Sequence, residues 1–372
     1  MNRILFYHPW PLAEDPSKGS EIRPVRMLEA FRRCGYEVDI VTGYSKKRHR
    51  RIKAVRRYIE EGGQYSFLYA ESTTVPIPLT DPHHLPVRPI QDFNFFRTLR
   101  RHGIPIGLFY RDVYWQVEDL QYNASSLKKM VKRSFQWIEW GCFQKYVSHL
   151  FLPTDEIRSL LPTQWPANRA SALPPGCDDL DAEFVVDEDG PLRLFYVGGV
   201  SPPYYDIRPL LRVVERLEDV KLTLCCRRSE WEENRSFYNG IVGDGTVRVV
   251  HASAEEIGRF YKNADLVADL RQPTGYLRTA LPVKTVEAIG YGVPMLLRRG
   301  TSAATFVAEE GTGWVTNSLK EAEDLLVRLR DHRKLVQEKR KDVVVAQKNN
   351  KWVARAKQAA SILRSRNRYH DK

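Results

Sequence analysis

Short apolar runs alternate along the chain with stretches in which apolar residues recur every three or four positions. Runs of this kind are strands buried on both faces, and the periodic stretches are amphipathic helices. The alternation therefore predicts an α/β protein with parallel sheets covered by helices on both sides. In the first half, strands are expected at 4–7, 38–42, 67–70, 106–110, 150–152 and 171–173, with helices at 21–34, 93–102 and 127–147. Ile22, Val25, Leu28 and Phe31 stand three apart and form one stripe of the first helix. Ser20 is placed to cap that helix, Pro24 falls in its first turn, and Gly35 ends it. In the second half, strands are expected at 194–197, 221–225, 247–250, 266–269 and 295–297, with helices at 207–217, 255–263, 283–290 and 319–329.

Between the halves stand Leu173, Pro174, Pro175 and Gly176, followed by the acidic Asp187, Glu188 and Asp189, a composition suited to a linker. A boundary and hinge near residue 180 divide the 372 residues into domains at 1–178 and 179–342. A basic tail of helical composition, 343–372, is expected to pack back on the first domain. Two domains suit a chain of this length, since single cores stop growing beyond roughly 250–300 residues.

Hydrophobic residues make up 42% and charged residues 28%, a balance that excludes disordered and membrane-embedded classes. No apolar run approaches the roughly 20 residues that span a bilayer. The first residues read as a buried strand, so no signal peptide is expected. Cys34, Cys142, Cys177, Cys225 and Cys226 are odd in number and share no metal or disulfide spacing, which points to a reduced, cytoplasmic setting.

The net charge of +12 is concentrated. Residues 45–58 hold eight Lys/Arg and no acid, and residues 333–372 hold thirteen against three acids. Such blocks fit an anionic partner or a solvated face. Nucleic acid is not expected, because the first block has aromatics only at its margins, Tyr44 and Tyr58, and no docking motif is present.

Candidate chemistry centres on residues 281–294. Pro282 suits a helix start, which puts Lys284 in the first turn and Glu287 one turn further on the same face; Gly290 and Gly292 end the helix. A helix N-terminus attracts phosphate, Lys284 adds a charge there, and Glu287 can accept from both hydroxyls of a ribose. Alone, the spacing also fits an amphipathic helix with a surface Lys–Glu pair.

With its flanks, this stretch resembles the donor-binding helix of the GT-B glycosyltransferases, especially the large, mostly retaining hexosyltransferase family. Lys18, Gly19 and Ser20 resemble that family's N-terminal glycine loop, Leu173 to Gly176 its interdomain linker, and Phe195 to Gly199 the first strand and turn of its donor domain. The resemblance implies two Rossmann-like domains facing a central cleft. It also implies transfer of a hexosyl-type group from a nucleotide-diphosphate sugar to a glycan or lipid-linked acceptor. Gly19 and Ser20 offer a glycine turn that a donor phosphate or an acceptor group would approach without a side chain in the way, with Ser20 equally readable as a plain helix cap. Gly198 and Gly199 would form the donor domain's first turn, and the loop holding His251 would meet the base mainly through backbone atoms. No metal set, P-loop, HExxH or nucleophile elbow is visible, and family members commonly need no metal.

The chain also departs from the family. Thr279 stands where a second glutamate usually holds the donor sugar, and Gly199 where an arginine often grips the diphosphate. Arg227, Arg228, Arg271 and Arg278 are candidates to substitute, each equally readable as a surface charge. Arg111 and Asp112 follow a predicted strand, where ligands of open α/β sheets bind. Asp112 would take the acceptor's proton in an inverting reaction, would orient the acceptor in a retaining one, or simply caps the next segment. His8, after the first strand, is a weaker candidate. By the resemblance, residues 45–58 lie near the acceptor mouth, where their charge would suit an anionic membrane surface. A GT-B epimerase or a non-catalytic GT-B binding protein is the alternative, the latter kept open by Thr279.

Overall fold

The computed structural model describes residues 2–16, 19–116, 126–178, 190–241, 245–253, 255–275 and 277–367. The chain forms two compact units, Met1–Pro175 with Trp352–Lys372, and Gly176–Lys351. The crossings fall at 175/176 and 351/352, where the sequence placed them at 178/179 and 342/343. The hinge expected near 180 and the acidic residues Asp187, Glu188 and Asp189 lie outside the described residues, as does Lys18.

The first unit holds strands β1 (Arg3–His8), β2 (Glu37–Thr42), β3 (Leu68–Glu71), β4 (Ile106–Phe109), β5 (His149–Leu152) and β6 (Ala170–Ala172). They form one parallel sheet in the order β2-β1-β3-β4-β5-β6. Helices α1 (Gly19–Arg33), α2 (Ser45–Glu60), α3 (Gln91–Arg101) and α4 (Ser126–Tyr146) cover it. Ile4, Leu5, Phe6 and Tyr7 are all buried in succession, because helices on both faces leave no polar side to the sheet.

The second unit repeats the plan with β7 (Leu192–Val197), β8 (Val220–Cys225), β9 (Val247–Val250), β10 (Leu266–Asp269), β11 (Met295–Arg298) and β12 (Gly313–Thr316). Its parallel sheet runs β12-β11-β10-β7-β8-β9, the doubly wound order of a Rossmann domain. Its helices are α5 (Arg208–Glu215), α6 (Arg228–Asn234), α7 (Ile257–Lys262), α8 (Val283–Gly290), α9 (Ser302–Glu309), α10 (Leu319–Asp331) and α11 (Lys334–Gln347). Separate apolar cores lie on its two faces, one around Leu194, Leu211 and Leu326, the other around Phe195, Val286 and Val307.

Helix α12 (Trp352–Asn367) then returns to the first unit. It packs on α1, where the Cys34 thiol donates to the Val353 carbonyl at 3.8 Å. On β4, a Cβ at Gly107 would come within 2.7 Å of Leu363 Cδ1, so only glycine leaves room for that leucine.

Several elements differ from the sequence reading. Helix α1 begins at Gly19, so Ser20 lies inside its first turn rather than capping it, and Pro24 sits beyond that turn. Residues 45–58 are helical throughout, in α2, and Arg48 within them is buried. Arg48 bonds Asp92 through Nε and Nη2 at 2.9 and 3.1 Å and donates to the Pro9 and Gly43 carbonyls. One of the eight basic groups thus closes the core instead of facing solvent.

Candidate functional site

In a parallel sheet all strand C-termini share one edge, and ligands bind there where the strand order reverses. In the second unit that point lies between β7 and β10. Gly198 and Gly199 follow β7, Arg227 and Arg228 follow β8, His251 follows β9 and Arg271 follows β10. The segment after β10 leads along the same edge into α8.

Pro282 is the N-cap of α8, in extended conformation, and makes no side-chain cap bond, so the helix's first amides are not satisfied by a capping side chain. Lys284 is its second residue. Burial pushes the Lys284 ammonium pKa down and Arg227 pushes it further, while Glu287 and Cys225 oppose the shift. The strand-end residues of β8 and the first turn of α8 therefore interact, around a cation that is largely desolvated. Glu287, one turn on, accepts a hydrogen bond from the buried Tyr261 phenol at 3.2 Å. Tyr261 stacks on Tyr291 at 4.5 Å. After α8 the chain turns at Gly292, whose φ of 69° favours glycine.

A second cluster gathers at the end of β7. A Cβ at Gly199 would lie 2.9 Å from Glu230 Oε1 and from Tyr205 Cγ, so the turn is packed tightly. Glu230 accepts from the Val200 amide at 2.8 Å and the Ser201 hydroxyl at 2.9 Å, and so fixes the turn. Tyr196 donates its phenol to the Gly199 carbonyl at 2.7 Å. Arg271 lies against Tyr196 and Tyr205, with its guanidinium carbon 5.9 and 5.2 Å from their ring centres. Its Nε bonds Asp269 Oδ1 at 2.8 Å, and its Nη2 bonds Asp269 Oδ2 at 2.5 Å. Its Nη1 is buried without a hydrogen-bond partner. Burial works against the Arg271 charge, and Asp269 and Tyr196 more than offset it.

The other candidates are placed differently. Arg227 and Arg228 are exposed, as N-cap and first residue of the short α6. His251 is half-buried, with Nδ1 2.9 Å from the Cys226 carbonyl, which fits a loop presented through its backbone. Arg278 is exposed, its carbonyl accepting from Ser302. Thr279 is buried.

In the first unit, Asp112 is buried after β4 and its Oδ2 accepts from the Thr74 hydroxyl at 2.7 Å. Arg111 is half-buried, its amide bonding the Ser72 hydroxyl at 3.0 Å and its Nε 3.9 Å from Asp112. His8 ends β1, and burial, with the charges of Arg111 and Arg48, lowers its pKa to about 4 despite its bond to the Trp10 carbonyl. Gly19 is exposed and Ser20 half-buried in the first turn of α1. The sequence reading missed Glu71 and Arg23. These form a buried pair at 3.3 Å at the end of β3, with Arg23 3.4 Å over the Phe109 ring. Their separation of 48 positions gave no local signal.

No protein-family model and no curated protein sequence matches the chain. Solved structures match its fold over nearly its whole length. Sucrose-phosphate synthase from Thermosynechococcus elongatus is 15% identical, with 100% of both chains covered and a TM-score of 0.65. HepE of Anabaena, in complex with UDP-glucose, is 12% identical over 98% of this chain and 99% of that one, with a TM-score of 0.64. WaaG, a glycosyltransferase involved in lipopolysaccharide biosynthesis, is 14% identical over 97% and 99%, with a TM-score of 0.57. The likeness is one of fold, the GT-B pair of Rossmann-like domains.

Proposed function

We propose that this chain, whose fold is that of the GT-B glycosyltransferases, moves a hexosyl-type group from a nucleotide-diphosphate sugar to a glycan or lipid-linked acceptor. The observation that carries the reading is Lys284. A desolvated ammonium beside an uncapped helix start, supported by Glu287 and opposed by Arg227, gains further stabilisation from a bound diphosphate. HepE, similar over nearly the whole chain, is described with UDP-glucose bound, and WaaG as acting in lipopolysaccharide biosynthesis. These descriptions support the donor class and the kind of acceptor.

In this reading the amides of α8 and Lys284 hold the diphosphate, and Glu287 accepts from the ribose hydroxyls. Arg271 replaces the family's missing basic residue, its unpartnered Nη1 donating to a phosphate oxygen. These groups offset the diphosphate charge, so no metal is called for. The acceptor hydroxyl donates a hydrogen bond to Asp112, and its oxygen bonds the anomeric carbon as the bond to the diphosphate breaks. Its proton passes to Asp112 in an inverting reaction and to the departing diphosphate in a retaining one, where Asp112 only orients the acceptor. The exposed Lys46, Lys47, Arg50, Lys53 and Arg57 of α2 face an anionic membrane surface, worth about 1 kcal/mol each near it. The enzyme would act as a peripheral protein on the cytoplasmic side. Among the described residues no helix is long and apolar enough to cross a membrane.

A thermal-shift screen of UDP, GDP, ADP and TDP identifies the base, and turnover of the matching nucleotide sugars with and without acceptor tests the chemistry. Acceptor-dependent release of nucleoside diphosphate is expected. Turnover without acceptor supports an epimerase instead. Binding without turnover supports a non-catalytic protein, the reading favoured by Thr279 in place of glutamate.

A further inference from the structure

In the first βα unit of a Rossmann domain, phosphate is held by the backbone amides of the turn after the strand and by the start of the next helix. In the second unit those places follow β7, and both are filled by the chain's own carboxylates. Glu230, from α6, points one oxygen into the turn. Its Oε1 accepts from the Val200 amide at 2.8 Å, the Ser201 amide at 3.2 Å and the Ser201 hydroxyl at 2.9 Å. Asp206 fills the start of α5, where its Oδ1 accepts from the Arg208 amide at 3.0 Å. Successive amides converging on one oxygen form an anion nest, and at Val200 and Ser201 the anion is built in.

The two acids differ in how their charge is balanced. Asp206 is clasped by the Arg208 guanidinium, with Nε and Nη2 at 2.9 and 2.7 Å. Among the described residues no cation comes within ion-pair distance of Glu230, whose Oε1 is met by neutral donors. Glu230 is half-buried, so water screens its charge only in part. The turn that it fills borders Arg271. Tyr205 Cγ and Glu230 Oε1 each lie 2.9 Å from where a Cβ of Gly199 would stand, and the Tyr205 ring centre is 5.2 Å from the Arg271 guanidinium carbon. Arg271 Nη1, buried without a partner, is the group there that calls for an anion. A phosphate on Arg271 therefore meets an unbalanced carboxylate across one side chain.

We infer that Glu230 ranks the anions this site holds: its carboxylate keeps phosphate out of the β7 turn and favours the sugar-bearing diphosphate over the free nucleoside diphosphate that transfer leaves behind. The two ligands differ in charge at the terminal phosphate. Esterified to a sugar, that phosphate carries one negative charge. Freed, it ionises a second time with a pKa of about 6 and carries close to two at neutral pH. Glu230 repels the added charge, so the spent donor leaves more readily. The inference rests on the proposed donor class and adds a specificity-determining residue to it.

The test is calorimetric titration of the full chain and two variants. The ligands are the nucleoside diphosphate that most raises the melting temperature, its glucose ester and inorganic pyrophosphate. Glu230→Gln keeps an oxygen for the two amides and removes the charge, whereas Glu230→Ala also frees the amides. Glu230→Gln should bind the nucleoside diphosphate about tenfold more tightly and the glucose ester about threefold, the scale of one unit charge acting across a partly screened site. Pyrophosphate should follow the nucleoside diphosphate in both variants. A side chain that only braced the turn would give no such gain, since its loss would weaken binding or leave it unchanged. The alanine variant supplies the same reading where glutamine disturbs the turn. Affinity for nucleoside diphosphate and pyrophosphate equal to or below the parent's, in variants folded by circular dichroism, overturns the inference. An equal gain for the free and esterified diphosphates also overturns it. Pyrophosphate binding that tightens in both variants, while no nucleotide binds any of the three proteins, counts against the transferase reading and not against the anion nest.

Discussion

The phenol of Tyr261 donates to the Glu287 carboxylate at 3.2 Å, from α7 to α8 across one face of the second sheet. A carboxylate has about four acceptor sites, so this bond fixes the side chain and leaves capacity for two ribose hydroxyls. Tyr261→Phe removes the positioning bond without opening a cavity. Nucleoside diphosphate affinity should fall about fivefold, the scale of one hydrogen bond of about 1 kcal/mol. Calorimetry checks this, and a matching loss with the nucleoside monophosphate locates the defect at the ribose end.

Arg271 is held by Asp269 in a fork that lysine cannot reproduce. Arg271→Lys should therefore weaken diphosphate binding about tenfold while nucleoside binding stays unchanged. Arg271→Ala should also cost about 1–3 kcal/mol of stability, because Asp269 loses its partner. Urea unfolding beside calorimetry separates the two effects.

Gly107 and Leu363 meet so closely that no side chain fits at 107 without displacing the leucine. Gly107→Val should destabilise the first unit by about 1–3 kcal/mol through overpacking. Leu363→Ala alone should cost about 2–5 kcal/mol, since that leucine is fully buried. In the double variant the two losses should be less than additive, because the alanine vacates the space that valine needs.

The first unit should lose stability in acid partly through His8. Its pKa is about 4 in the folded chain against an ordinary 6.5, so between these values the unfolded chain takes up a proton that the folded chain does not. Stability from this group is complete above pH 6.5, falls as pH drops toward 4, and totals about 3 kcal/mol. Glu139 acts in the opposite sense. Its pKa of about 8 contributes stability that is lost as pH rises from 4.5 through 8. The difference in urea midpoint between the parent and His8→Gln isolates the histidine: it should be flat above pH 6.5 and change steadily from 6.5 to 4.

Most strands could be read from sequence because burial on both faces leaves an uninterrupted apolar run. β9 at 247–250 and β10 at 266–269 have the bounds their valine- and leucine-rich runs predict. α8 was legible from its ends, with Pro282 before it and glycines closing it. β12 was not, since Gly313, Trp314, Val315 and Thr316 form a short edge strand with no apolar run. α2 has its stripe of Ile52, Val55 and Ile59, but eight basic residues hid it, and only the tertiary fold could show that Arg48 is spent on Asp92. The Tyr261–Glu287 bond and the Arg23–Glu71 pair join distant segments, which no local pattern encodes. Lys284, Glu287, Arg271 and Asp112 could be named as candidates from their place at helix starts and strand ends. The burial that sets their chemistry could not.

The most direct test is calorimetric titration of the parent chain and Lys284→Ala with the nucleoside diphosphate that most raises the melting temperature. Binding to the parent should weaken as pH rises, and at a lower pH than an ordinary lysine would require, because the Lys284 pKa is lowered. The alanine variant, folded by circular dichroism, should bind at least tenfold more weakly, the scale of one charge-assisted contact. Equal affinity in the two proteins would contradict the account.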